Sequence, residues 1–399
     1  MLGDHLIPPG QTPFANDPYF GRLLLPGQDF IGASGFLSID DVLEEIRQSG
    51  KRIILNIGDS STAGWDTRVT VENQLRRKSG EPLLSAFFRY PTYTDLLRES
   101  VGDRFVVLNA GIPGHTSINA LRRLRYLLDR FRRAGVQVGY VSIYIGNNDC
   151  QWENNIEDSS RLRTSELLPV AIDRLRLKFE RPVTDRIRLR TNVRDFRANV
   201  RAMLRACQAH GAAPMVILPE TPLYWEPGKR FVADLFPVDV EKPGGAMVTA
   251  ALARASAIWT QALSMEWSAE KERALESARE LDFVVPRIKR AYRRCLEEEA
   301  REMDVPTVRT VVPREQGDGE WFVDYCHPVG AGNEVIAADL KKTIDAYESG
   351  RVSVVQVRTR LLFRILDSRL VDILASTFRK TRPGSASAES ENKDIYTLY

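Results

Sequence analysis

A serine stands where a predicted strand gives way to a helix. Ser60 lies in residues 58–62, Gly-Asp-Ser-Ser-Thr, directly after the apolar run 52–57. A hydroxyl at such a tight turn is exposed above a sheet, and the following helix directs its dipole towards developing negative charge. Ser60 is therefore a candidate nucleophile. Because Gly, Asp and Ser also dominate ordinary turns, a plain loop is the alternative interpretation.

A serine hydroxyl is too weakly acidic to attack an ester unaided, so it needs a base that titrates near neutrality. The chain has four histidines, and His327 lies three residues after Asp324 in the segment Asp-Tyr-Cys-His-Pro. A carboxylate at that spacing can accept a ring N–H and fix the imidazole tautomer. His327 is thus a candidate base and Asp324 its orienting acid. A surface loop that carries an incidental acid and histidine is the alternative.

Two further segments offer donors to an oxyanion. Gly114 ends the segment Asn-Ala-Gly-Ile-Pro-Gly, and its backbone N–H can approach a ligand because no side chain blocks it. Asn148 lies in Gly-Asn-Asn-Asp, and its amide donates without carrying charge. A turn and a capped loop are the respective alternatives.

Short apolar runs alternate with helical patterns along the chain. Strands are predicted over residues 52–57, 105–108, 141–145, 215–218 and 305–311, and helices over 39–49, 93–100, 193–210, 288–303 and 332–348. A further helix is predicted to follow Ser117 as its N-cap. This alternation predicts an α/β fold with a central parallel sheet of about five strands, covered on both faces. The active site of such a sheet lies beyond the carboxyl ends of its strands, which is where Ser60, Gly114 and Asn148 fall.

Together, the four segments resemble the characteristic blocks of the SGNH (GDSL-type) hydrolases over roughly residues 51–345. The resemblance implies a flavodoxin-like three-layer α/β/α fold and a serine esterase that forms an acyl-enzyme without metal or organic cofactor. It assigns the nucleophile to Ser60, the base to His327 and the acid to Asp324. It places the oxyanion hole at Gly114, Asn148 and the Ser60 backbone N–H. Ser61-Thr62 departs from the aliphatic residue that many members carry after the nucleophile.

The expected reaction is deacylation of a small or medium carboxylic ester. One alternative is an acyltransferase that hands the same acyl-enzyme to an acceptor, with the segment 222–282 shielding the site from water. The other is a non-catalytic binding protein on this fold, which would be expected to have lost a catalytic residue.

Four residues are candidates for lining the pocket because they lie near the catalytic segments in sequence: Trp65, His115, Trp152 and Trp321. Aromatic walls suit sugar rings or aryl groups. The alternatives are ordinary core tryptophans and a satisfied loop histidine. We interpret Cys150 and Cys326, which adjoin the same segments, as small buried residues.

The predicted organisation has four parts. An irregular Pro- and Gly-rich extension over 1–50, ending in one helix, precedes a hydrolase domain over 51–345 that contains the insertion 222–282. An amphipathic helical segment follows over 346–382, and a Ser-, Glu- and Asn-rich tail over 383–399 is expected to be disordered.

Composition limits the partners. The formal net charge is +3, and no basic stripe with interleaved aromatics indicates nucleic acid. The first residues lack a signal peptide's features, no run approaches the roughly 18 apolar residues of a membrane span, and the four cysteines are widely spaced. We therefore expect a cytoplasmic protein with a small-molecule ester substrate. The basic amphipathic segment 358–378 is expected to pack on its own domain or on a second subunit in a homo-oligomer; membrane contact is the alternative.

Overall fold

A seven-stranded sheet forms the centre of the computed structural model. The model describes residues 6–7, 14–17, 21–24, 27–32, 35–81, 83–84, 91–152, 187–229, 244–309 and 321–350. The sheet contains β4 (Phe30–Gly32), β5 (Gly35–Leu37), β6 (Arg52–Gly58), β8 (Phe105–Gly111), β9 (Val138–Tyr144), β10 (Ala213–Leu218) and β11 (Thr307–Arg309). Four further short strands form two small separate sheets. One pairs β1 (Leu6–Ile7) with β7 (Leu83–Leu84), and the other pairs β2 (Phe14–Asp17) with β3 (Gly21–Leu24).

The strand order in the large sheet is β11-β10-β9-β6-β8-β4-β5. The five strands from β11 to β8 run parallel, and their order is the flavodoxin-like one, with the first strand between the second and third. The predicted fold class is therefore confirmed. Because β6 lies at the point where the strand order reverses, its carboxyl end opens into the crevice where such sheets bind ligands.

Helices cover both faces of the sheet. The helices of the described residues are α1 (Ile39–Ser49), α2 (Ser60–Ala63), α3 (Thr67–Ser79), α4 (Tyr93–Val101), α5 (Ser117–Arg133), α6 (Val193–Ala209), α7 (Gly245–Leu263), α8 (Ala269–Leu281), α9 (Arg290–Glu302) and α10 (Ala331–Glu348). Alternate side chains of β6 point to opposite faces. Ile53, Leu55 and Ile57 pack with α1, α5, α6 and α9, whereas Ile54 packs with α4 and α10. Both faces are buried, which explains the continuous apolar runs in the sequence.

The amino-terminal region corrects one expectation. Residues before α1 were expected to be irregular, but β4 pairs antiparallel with β8 and β5 pairs antiparallel with β4, which extends the parallel sheet by two strands. The β4 side chains are buried, and Phe30 stacks on Phe131 of α5 at a ring-centroid distance of 6.2 Å. The extension therefore covers the edge of β8 with two additional strands.

Two of the boundaries that differ from the predictions have a clear structural reason. β8 continues through Asn109 to Gly111, because it pairs with β6 as far as the pair Gly58 and Gly111. Thr116, and not Ser117, is the N-cap of α5: Thr116 has extended backbone angles and shares a capping box with Asn119.

Of the residues between β10 and α9, those that the structure describes contain two helices, α7 and α8, which lie within the predicted insertion 222–282. They pack around Leu223, Ala262 and Leu275. Within the part of the chain that the structure describes, no helix combines the length and apolarity that crossing a membrane requires. The segment 358–378 and the tail 383–399 lie outside the described residues.

Candidate active site

Ser60 is the first residue of a single-turn helix at the carboxyl end of β6. Asp59 caps this turn through the Ser61 N–H, at 2.9 Å from Asp59 Oδ1. The turn presses closely on its strand: a Cβ on Gly58 would lie 2.6 Å from the Tyr144 carbonyl oxygen and 2.0 Å from Thr62 Oγ1. Glycine is therefore required at this position, and the tight turn directs the Ser60 side chain out of the sheet edge.

The three residues expected to form a triad lie in one hydrogen-bonded row. His327 Nε2 is 2.7 Å from Ser60 Oγ, and His327 Nδ1 is 2.5 Å from Asp324 Oδ2. The other carboxylate oxygen, Asp324 Oδ1, accepts the backbone N–H groups of Cys326 at 2.8 Å and His327 at 2.9 Å. Since Asp324 is anchored by its own loop, the imidazole is held with one nitrogen towards the carboxylate and the other towards the serine.

The charges around His327 favour the protonated form of its imidazole. Burial alone lowers the pKa of His327, but the charge and hydrogen bond of Asp324, with help from Asp59 and Asp66, outweigh it and raise the pKa above its ordinary value of 6.5. Such a group can hold a proton between two steps of a reaction.

The Asp59 carboxyl, next to Ser60 in the chain, is a second group at the site with a shifted pKa. Burial raises the pKa of this fully enclosed carboxyl to about 6, against the lowering effect of the Ser61 N–H and the His327 charge. The pKa of the Asp59 carboxyl therefore lies closer to neutral pH than that of an exposed aspartate.

Gly114 and Asn148 lie on the loops that follow β8 and β9. Gly114 has a left-handed backbone conformation, with φ of +81°, and its carbonyl accepts a hydrogen bond from Arg190 Nη2 at 2.9 Å. Asn148 Nδ2 donates to the His115 carbonyl at 3.1 Å and to Asp59 Oδ2 at 3.4 Å. The amide of Asn148 thus lies against the turn that carries Ser60.

Of the predicted pocket residues, two tryptophans belong to the core. Trp65 packs with Leu24, Ile31 and Ile112, and Trp152 packs with Val248 of the inserted segment and with Val284, which follows that segment. Both are buried. Their packing explains them as core side chains.

The other two predicted pocket residues, Trp321 and His115, have different surroundings. Trp321 is partly exposed, and its carbonyl accepts the Val329 N–H at 2.9 Å. His115 is buried, and its backbone carbonyl accepts a hydrogen bond from the Asn148 side-chain amide at 3.1 Å.

Sequence reasoning missed two aromatic residues near the site, one beside the imidazole and one that packs against the first. The Tyr325 ring centroid lies 5.8 Å from that of His327, and the Trp225 ring centroid lies 6.0 Å from that of Tyr325. Tyr325 lies between the predicted acid and base, a position that could have suggested it. Nothing in the sequence near Trp225 connects it to the other segments.

A carboxylate, a thiol and an imidazole come together at Asp324, Cys326 and His327, with ligand atoms within 4.8 Å of one another. Here His327 Nδ1 is already hydrogen-bonded to Asp324 and Nε2 faces Ser60. Burial raises the pKa of the Cys326 thiol well above its usual range, and the pKa of Cys150 likewise. Both side chains are buried, in agreement with their interpretation as small buried residues.

The fold and the site together give an α/β protein in which Ser60, His327 and Asp324 form a hydrogen-bonded row at the carboxyl end of the parallel sheet. Residues 57–335 match the GDSL-like Lipase/Acylhydrolase family. The chain belongs to this family, and it is therefore an ester hydrolase in the general sense.

Solved structures similar to this chain include three hydrolases. The lipase/acylhydrolase from Enterococcus faecalis is 16% identical, with 77% of this chain and 100% of that chain covered and a TM-score of 0.34. A GDSL-like lipase from Bacteroides thetaiotaomicron is 15% identical, with 76% and 97% covered and a TM-score of 0.34. An acetylxylan esterase from Geobacillus stearothermophilus is 14% identical, with 77% and 97% covered and a TM-score of 0.36. No curated protein matches the chain in sequence.

Proposed function

We propose that the chain is a serine esterase that deacylates a small or medium carboxylic ester, with Ser60 as nucleophile, His327 as base and Asp324 as orienting acid. The observation that carries the proposal is the hydrogen-bonded row from Asp324 through His327 to Ser60, which links residues 267 positions apart in the chain. This row supplies what a weakly acidic hydroxyl needs in order to attack a carbonyl.

In the proposed reaction, His327 Nε2 accepts the hydroxyl proton as Ser60 Oγ bonds to the ester carbonyl carbon. The resulting oxyanion collapses, the bond to the alcohol oxygen breaks, and Nε2 returns the proton to that oxygen. A water molecule then attacks the acyl carbon while His327 Nε2 takes its proton. The bond from that carbon to Ser60 Oγ breaks, Nε2 returns the proton to Oγ, and the acid is released. Side chains of the chain itself carry each proton transfer, so the proposal invokes no cofactor.

The proposed oxyanion hole combines the Gly114 N–H, the Ser60 N–H and Asn148 Nδ2. First-turn N–H groups of a helix have no partner within that helix, which suits Ser60 to this role. The Asn148 amide already donates twice, and its 3.4 Å contact with Asp59 is the weaker of the two. We expect the oxyanion to replace that contact, with the hydrogen bond to His115 holding the amide in place.

The test is labelling by a fluorophosphonate probe, with the adduct located by peptide mass spectrometry. Wild type should be labelled at Ser60, and Ser60→Ala should not be labelled at all. Ser61→Ala is the matched control, because it removes a neighbouring hydroxyl that hydrogen-bonds to the Cys326 carbonyl at 3.3 Å, and it should still be labelled at Ser60. A folded wild type that resists the probe would contradict the proposed nucleophile.

Asn148→Ala tests the oxyanion hole separately. Removal of one such donor costs about 3 kcal/mol of transition-state stabilisation, a hundredfold to thousandfold loss in kcat. Labelling at Ser60 combined with wild-type ester hydrolysis by Asn148→Ala would leave the nucleophile in place and exclude this amide as a donor.

A further inference from the structure

Two partly exposed aromatic rings lie in a row that starts beside the buried imidazole. Tyr325 lies directly beside His327, with their rings tilted by 55°. Trp225 meets Tyr325 nearly edge to face, at an interplanar angle of 72°. His327 itself is buried, whereas Tyr325 and Trp225 are each partly exposed. The rings therefore form a partly exposed aromatic surface, Tyr325 and Trp225, that begins beside the proposed base.

The Trp225 end of this surface is held in place by polar contacts. Its indole Nε1 donates to the Lys229 carbonyl at 2.7 Å, and its own carbonyl accepts from Arg287 Nη1 at 3.4 Å. Arg287 is buried and pairs with Asp282 at 2.8 Å, and Asp282 also accepts the Gly228 N–H at 3.1 Å. A ring positioned in this way loses little conformational freedom when a ligand binds to it.

The position of the surface indicates which part of an ester it contacts. In the proposed function His327 Nε2 returns its proton to the leaving oxygen, so that oxygen must come within hydrogen-bond reach of the imidazole. The atoms attached to it then lie within a few ångströms of His327, which is where Tyr325 lies. The acyl group, by contrast, stays bonded to Ser60.

We propose that Tyr325 and Trp225 bind the alcohol portion of the ester, and that this surface selects alcohols with a flat ring face, an aryl or a sugar ring. The proposal rests on the proposed function and adds a substrate class to it. Aromatic side chains recognise such faces through offset and edge-to-face contacts, which a short aliphatic alcohol cannot make.

The experiment compares acetate esters that share the acyl group and differ in the alcohol: 2-naphthyl acetate, an acetylated methyl xyloside and propyl acetate. For Trp225→Ala, kcat/KM should fall roughly threefold to tenfold on the ring ester that the surface recognises, mainly through KM, and change less than about twofold on propyl acetate. Trp225→Phe should restore most of the loss. Comparison of each variant with wild type on the same ester cancels the intrinsic reactivity of the leaving group.

Trp267→Ala is the matched control, since it removes another indole of the inserted segment, one that packs against Tyr224. It should leave the order of preference among the three esters unchanged. Loss on the naphthyl ester alone would identify aryl alcohols, and loss on the xyloside alone would identify sugars. Equal losses on all three esters, or no loss on either ring ester, would overturn the proposal.

A turnover-independent measurement separates this proposal from the one it rests on. 2-Naphthol or methyl xyloside should slow fluorophosphonate labelling of Ser60 in wild type more than propanol does, and should lose that advantage in Trp225→Ala. If wild type is not labelled, the proposed function fails. If it is labelled and neither ring alcohol protects better than propanol, only the aromatic surface is refuted.

Discussion

Asp324→Asn is the most informative single substitution at the site, because it changes one atom and leaves the loop intact. Asp324 Oδ1 accepts two backbone N–H groups, from Cys326 and His327, and a carboxamide oxygen can accept both. The amide nitrogen must then take the place of Oδ2, opposite His327 Nδ1. Because that nitrogen is a donor, Nδ1 must become an acceptor and the ring proton moves to Nε2. Nε2 then donates towards Ser60 and cannot accept its proton.

The expected loss follows from that tautomer. A triad whose imidazole carries its proton on the wrong nitrogen loses about 10⁴-fold in kcat, or about 5.5 kcal/mol of transition-state stabilisation. The free energy of unfolding should fall much less, by roughly 1–2 kcal/mol, since the two backbone hydrogen bonds to Oδ1 become neutral ones and the hydrogen bond to the imidazole is reversed, not lost. The substitution should thus reduce kcat far more than it reduces the free energy of unfolding.

The assay is hydrolysis of p-nitrophenyl acetate as a function of pH, with thermal unfolding measured in parallel. The base must be neutral, so the wild-type rate should rise with pH through the pKa of His327, above 6.5, and reach a plateau. Loss of the Asp324 charge removes the strongest influence that raises this pKa, so any residual rate of the variant should rise at lower pH. Asp345→Asn, at a half-exposed carboxylate paired with Lys341, should behave as wild type. A folded Asp324→Asn that keeps more than about a tenth of the rate would refute the reasoning.

Two further predictions concern buried charge. The pKa of the Asp59 carboxyl is raised mainly by burial from 3.8 to about 6, so the folded state binds a proton more readily than the unfolded state and stability falls as pH rises through that interval. Asp59→Asn should therefore be more stable than wild type above about pH 6, by about 3 kcal/mol. In urea unfolding, this difference in stability should close towards about pH 4. A gap that does not change with pH would contradict this origin. Asp282→Asn should lower the free energy of unfolding by about 3–5 kcal/mol, because the Arg287 charge, which lies near Lys289, would stay buried without a carboxylate partner. The control Asp345→Asn should lower it by less than about 1 kcal/mol. Equal melting temperatures for these two variants would show that the buried pair is not structurally important.

The sequence by itself determined the central fold. Continuous apolar runs between helical patterns predicted five parallel strands, and β6, β8, β9, β10 and β11 are those strands. This inference succeeds because a strand that is buried on both faces must be apolar throughout, which leaves a local signal. β4 and β5 left no comparable signal. Each is three residues long, and their pairing with the sheet edge depends on residues such as Asn109, far away in the sequence.

At the site, the sequence placed Ser60, Gly114 and Asn148 at strand ends and supplied Asp324 and His327 in one segment. The contacts within that segment depend on short-range spacing, but the approach of His327 to Ser60 joins positions 267 residues apart. Only tertiary packing decides such a distance.

The same holds for the surroundings of the site. Trp65 and Trp152 are near the catalytic segments in sequence and yet pack in the core, whereas Trp225 is remote in sequence and lies beside Tyr325. A buried ion pair between Arg287 and Asp282 anchors the Trp225 backbone there. Local sequence determines which residues can perform chemistry, because turn and strand preferences are local. Long-range packing and buried charge decide which side chains surround them.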